Sequence, residues 1–159
     1  MQFFRILPIF VFLLFAGCAG MAPRSSGPPG VAVWDLEDLT DEGPLTHAGE
    51  LLSAQIVDTL SKRGRYTVVE RSRLIRILEE QNLSAASLAD HQTQLRLGEL
   101  IGAQFMVFGG YQLLGEKVRI DIRLINVESG RIFKAVSKVV NSTELQSLLD
   151  AAKSAAEEL

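Results

Sequence analysis

Cysteine is almost missing: Cys18 is the single one in 159 residues. One thiol excludes a disulfide framework within the chain and any multi-cysteine zinc or iron–sulfur site. Histidine is nearly as scarce. His47 and His91 show no ligand spacing, and each reads as a solvated or locally bonded side chain at a helix start. No Gly-x-Ser-x-Gly elbow, phosphate-binding loop or His-Glu-x-x-His motif occurs. Glu79 and Glu80 are adjacent, so on a helix they diverge by about 100° and cannot work as a carboxylate pair. Base is short as well: 16 Lys and Arg face 19 Asp and Glu, a net charge of −3. A duplex nucleic-acid partner is excluded on that balance, because phosphate contacts need clustered cations. The expectation is a non-enzymatic protein with no cofactor, no metal and no nucleic-acid partner.

A long hydrophobic run is also lacking. The apolar stretch Ile6 to Ala16 has eleven residues. As a helix it rises ~16 Å, too little for a hydrocarbon core of ~30 Å. Preceded by Arg5 and free of acids, it has the form of a signal-peptide core. Phe15-Ala16-Gly17-Cys18 resembles the bacterial lipobox, in which small residues precede a cysteine that is lipidated and becomes N-terminal after cleavage. Phe15 stands where leucine is usual. Cys18 is therefore the expected lipidation site, and each buried methylene of its acyl chains adds ~0.8 kcal/mol to anchoring. Ala19 follows, where lipoproteins held at the inner membrane commonly carry Asp. The resemblance implies attachment to the periplasmic face of the outer membrane. Residues 19–30 are rich in Gly, Pro and Ser and read as a flexible tether, ~40 Å long when fully extended. The expected division is 1–17 signal peptide, 18–30 lipidated cysteine and tether, 31–159 folded domain.

Hydrophobic residues make up 47% of the chain and charged residues 22%, enough to bury a core. Val31 to Trp34 is a short apolar run, expected as a buried strand. Asp35, Glu37, Asp38, Asp41 and Glu42 follow as a solvated acidic loop, without the spacing of a calcium-binding loop. Ala48, Leu52, Ile56 and Leu60 recur every fourth residue, predicting a helix from Thr46 to Arg63 that stops at Gly64. A strand is expected over Tyr66 to Glu70 and a helix over Arg71 to Gln81, with Leu74, Ile77 and Leu78 on one face. Ser84 and Asp90 can cap short helices, the second ending at Gly102 with Leu97, Leu100 and Ile101 inward. Asn82 and Asn141 match a glycosylation acceptor but coincide with expected helix caps.

A third strand begins at Phe105. Val118, Ile120, Ile122 and Leu124 alternate with Arg119, Asp121 and Arg123, predicting a strand with one buried face. Turns at Gly115-Glu116 and Glu128-Ser129-Gly130 join strands three, four and five, the last over Ile132 to Val140, as an antiparallel meander. Thr143 and Gln146 have capping-box spacing for a last helix. Its stripe of Leu145, Leu148, Leu149, Ala152, Ala156 and Leu159 would pack on the sheet, or else mediate a homo-oligomer. The fold class is α/β: one mixed sheet of about five strands packed with helices.

Order and spacing then resemble a family. Val31-Ala32-Val33, Tyr66 to Arg71, Leu74, Ile77 to Gln81, Leu97-Gly98, Gly102-Ala103, Val107-Phe108-Gly109 and Val118 to Ile132 resemble the curli assembly/transport lipoprotein (CsgG-type) family. The resemblance implies a periplasmic α/β domain. It makes Glu70, Arg71, Glu80 and Gln81 family-motif residues, structural or at an interface. It also implies envelope or secretion proteins as partners. In the curli exporter each subunit adds two transmembrane hairpins, while related lipoproteins serve flagellar function or activate peptidoglycan synthases. Strands of ~9–11 residues would be needed for such a hairpin. Neither the tight turn at Gly115 nor the chain after Val140 holds one, so a short form without the hairpins is expected.

Overall fold

The computed structural model describes residues 27–40, 45, 47–69, 71–80 and 91–159. The elements follow the order β1 (Gly30–Val33), β2 (Glu37–Asp38), α1 (Ala48–Arg63), β3 (Thr67–Val68), α2 (Arg71–Glu80), α3 (His91–Leu100), β4 (Phe105–Leu114), β5 (Lys117–Asn126), β6 (Ile132–Val140) and α4 (Leu145–Glu157). The sheet is mixed, in the order β3-β1-β4-β5-β6. β1 lies parallel to both β3 and β4, and β4, β5 and β6 form the antiparallel meander.

Among the described residues the sheet has six strands rather than about five. The extra one comes out of the acidic loop: Glu37 and Asp38 pair in parallel with Gly110 and Tyr111. β1 and β2 run along the same side of β4. Between Val33 and Glu37 the chain advances four residues while β4 advances three, from Val107 to Gly110. The surplus residue makes a bulge and turns Leu36 inward, where it is buried. α1 locks that bulge. Ser53 Oγ accepts the Leu36 N–H at 2.9 Å and donates to the Gly49 carbonyl at 2.8 Å. At Gly49 a Cβ would stand 2.1 Å from the Leu36 carbonyl oxygen, so only glycine fits this approach.

One face of the sheet carries the larger core. Leu52, Ile56 and Leu60 of α1 and Leu148, Ala152, Ala155 and Ala156 of α4 meet Val118, Ile120, Ile122 and Leu124 of β5, all but completely buried. A smaller core on the other face joins Ile101 and Ala103 to Ala32, Met106, Phe108 and Val127. The two-residue connection at Gly115-Glu116 needs a left-handed backbone, and Gly115 supplies it at φ 65°.

Several expectations change. β3 is two residues long, shorter than Tyr66 to Glu70. Leu100 points outward at 49% exposure, because Leu97 and Ile101 alone fill the inward position of that turn. The capping box at Thr143 and Gln146 is not formed. Glu144 is the helix N-cap and makes no side-chain cap bond; the Glu144 N–H donates to Ser142 Oγ, and Gln146 pairs with Asp150 instead. The α4 stripe is used inside the chain, against α1 and the sheet, with Leu145 left exposed at its start. An oligomer through Ala152 and Ala156 would require unfolding that contact. The expected helix capped by Ser84 lies outside the described residues.

Candidate functional site

The face of β4, β5 and β6 turned away from α1 and α4 is open beyond the smaller core. Its rows follow from the register. Gln112, Arg119 and Val139 lie side by side, then Gly110, Asp121 and Ser137, then Phe108, Arg123 and Ala135. Arg119 grips Asp121 with two nitrogens, Nε to Oδ2 at 2.8 Å and Nη2 to Oδ1 at 3.0 Å. Burial works to raise the Asp121 pKa. Hydrogen bonds from Arg119 and Ser137 and the charges of Arg119 and Arg123 outweigh it and hold the carboxyl below its ordinary value. A carboxylate so held is a poor proton donor at neutral pH. Beside it a shallow cavity of about 210 Å³ is bordered by Trp34, Gln94, Phe108, Asp121 and Arg123. The Trp34 and Phe108 rings stand 6.5 Å apart on its wall.

β6 is one end of the sheet, and among the described residues β5 is its one strand neighbour. Ile132, Phe133 and Val139 on it are 57%, 66% and 60% exposed. The Phe133 ring leans on Phe105 at 5.3 Å, and Phe105 meets Tyr66 edge-on at 6.0 Å. A cleft of about 470 Å³ opens there, lined by Phe105, Asn126, Ser129, Arg131, Ile132 and Phe133. Lys138 pairs with Glu158, the C-cap of α4. Residues 117–140 contain Lys117, Arg119, Arg123, Arg131, Lys134 and Lys138 against Asp121 and Glu128, a net charge of +4 in a chain of −3. The rest of the molecule therefore carries −7.

Of the residues singled out from sequence, Arg71 and Glu80 are described. Cys18, Glu70 and Gln81 lie outside the described residues. Arg71 opens α2 and Glu80 closes it, so the helix places them at opposite ends, about 13 Å apart along its axis. Among the described residues no group of three or more His, Cys, Asp or Glu is arranged to hold a metal ion. Among the same residues no helix is long and apolar enough to cross a membrane.

The family model described as curli production assembly/transport component CsgG matches residues 19–119. This chain belongs to the CsgG family. The match starts earlier than the Val31 expected from the motifs and stops within β5. No curated protein matches the chain. Solved structures extend the likeness at the level of fold. The C-terminal domain of LpoB from Salmonella enterica is 16% identical, with 73% of this chain and 84% of that one covered at a TM-score of 0.63. Lipoprotein GNA1162 from Neisseria meningitidis is 16% identical over 79% of this chain and 93% of its own, with a TM-score of 0.60. A PelC dodecamer from Paraburkholderia phytofirmans is 16% identical over 84% of this chain and 88% of its own, with a TM-score of 0.52.

Within this CsgG-family domain the motif reading missed the β6 edge. Alternation correctly put Arg119, Asp121 and Arg123 on the outer face, but nothing in the sequence order says that β6 has one neighbour. The signal that was present is the charge excess of residues 117–140, which counting by segment would have found.

Proposed function

We propose that the protein is a non-catalytic lipoprotein, held on the periplasmic face of the outer membrane by lipid on Cys18, and an accessory of envelope export or appendage assembly. The family match over residues 19–119 carries the reading, since its description is curli production assembly/transport. The likeness to GNA1162, itself a lipoprotein, supports envelope association. In this reading residues 1–17 are removed, 18–30 tether, and 31–159 present the folded surface. Glu70, Arg71, Glu80 and Gln81 serve that domain as structural or interface groups. Self-association is supported by the fold shared with the PelC dodecamer.

A second reading has its own support. The connections of β4 to β5 and β5 to β6 are short turns, and the β5 side chains that a membrane hairpin would need are in the soluble core. A domain with no membrane hairpin among its described residues suits a module that binds and activates a peptidoglycan synthase, or one that supports flagellar function. The test is made in intact cells. Mass spectrometry of the mature protein is expected to show an acylated N-terminal Cys18, and Cys18→Ser to release the protein from membranes. Cross-linking and pull-down would then recover secretion or appendage components. Recovery of a cell-wall synthase would favour the second reading, and unchanged anchoring of Cys18→Ser would overturn the lipid anchor.

A further inference from the structure

We infer that the outer edge of β6 is a docking strand for an extended acidic segment of another protein, which adds to the sheet as a further strand. Among the described residues, no strand pairs with the outer side of β6. An edge strand directs alternate N–H and C=O groups outward, a ready template for another chain. The strand is nine residues long, ample for such pairing.

Charge chooses the occupant. Lys134 and Lys138 share the side of β6 that bears the buried Val136, two positions away on either hand. Directly opposed side chains on added strands interact, and like charges opposed are unfavourable. A second copy paired along the full length of β6, centred on Val136, would set Lys134 against Lys138 twice. Edge lysines thus discourage self-pairing. A strand with acidic residues four positions apart and an apolar residue midway would instead place one carboxylate on Lys134, a second beside Lys138, which it would share with Glu158, and an apolar group on Val136. On the other side of the strand, exposed Val139 and Ala135 ask for uncharged partners. At the start of β6, the cleft beside Phe133 and Phe105 offers room for an apolar end residue, with Arg131 at its rim. The +4 charge of residues 117–140 draws the same acidic segment from a distance. This assignment is independent of lipid anchoring and of the process the protein serves.

The test uses the full chain in nonionic detergent and a fluorescent peptide, Thr-Glu-Thr-Val-Thr-Glu-Thr, read by anisotropy. Saturable binding that weakens as salt rises is expected. A matched peptide with lysines in place of the glutamates should not bind. Lys134→Glu, an exposed change that leaves the core intact, should weaken the acidic peptide roughly tenfold and gain the peptide whose lysine faces position 134. Two N-methylated peptides, each blocking one set of alternate amides, should differ: one set abolishes binding and the other is tolerated. Equal binding of both N-methylated peptides, no effect of Lys134→Glu, or no binding at all would overturn the proposal. So would a dimer of the full chain that the acidic peptide cannot dissociate, since that would give the edge to a second copy.

Discussion

Gly49 and Ser53 sit one turn apart on α1 and together hold the bulge at Leu36. Gly49→Ala would drive a methyl group into backbone, where neither α1 nor the bulge can yield without losing pairing to β4. The expected cost is about 3 kcal/mol or more, in the range of overpacking at a closed site. Ser53→Ala removes the acceptor of a buried N–H and should cost about 1–3 kcal/mol. Urea unfolding of the two variants checks both figures, and a Gly49→Ala protein of unchanged midpoint would refute the close approach. Asp121 tests the open face. Its folded pKa lies below its unfolded one, so its contribution is complete above the ordinary carboxylate value and is lost as pH falls through the lowered one. The pair with Arg119 is partly exposed, so the contribution is about 1 kcal/mol at most. Melting curves between neutral pH and about pH 2.5, below the ordinary Asp value near 3.9, should show Asp121→Asn losing less stability on acidification than the parent.

At the scale of elements, α4 closes the larger core. Leu148 is fully buried between α1 and the sheet. Leu148→Ala should cost about 2–5 kcal/mol by transfer and cavity terms, measured by denaturant midpoint. α1 and β5 were legible in the sequence because each carries a strong period: every fourth residue along α1, every second along β5. β2 was not, because Glu37 and Asp38 owe their strand geometry to backbone pairing with Gly110 and Tyr111 rather than to their side chains. Leu100 misled because the inward stripe of a short helix has no room for three neighbouring leucine-sized groups. The capping box is absent because the helix begins one residue later than its spacing requires, with Glu144 as N-cap, and Gln146 bonds to Asp150. The candidate surface was half legible. Its polar face follows from alternation, whereas the open edge is a property of strand order, which no local pattern encodes.

Across the whole molecule the chain order and the spatial order disagree in one place. β1 is an interior strand of the sheet, between β3 and β4, yet Val31 finds its partner Phe105 only 74 residues later. The meander of β4, β5 and β6, by contrast, closes through neighbouring segments. Long-range pairing is slow because a large loop must be ordered before any contact rewards it. Stopped-flow refolding should show this: Ile122→Val in the meander slows folding, while Val31→Ala chiefly speeds unfolding. The reverse pattern would put β1 in the folding nucleus. For a chain delivered N-terminus first, the consequence is a waiting time. A buried apolar strand of the sheet emerges early and stays unmatched on one side until about two thirds of the polypeptide has emerged. The nascent chain is therefore at greatest risk of aggregation just before β4 arrives.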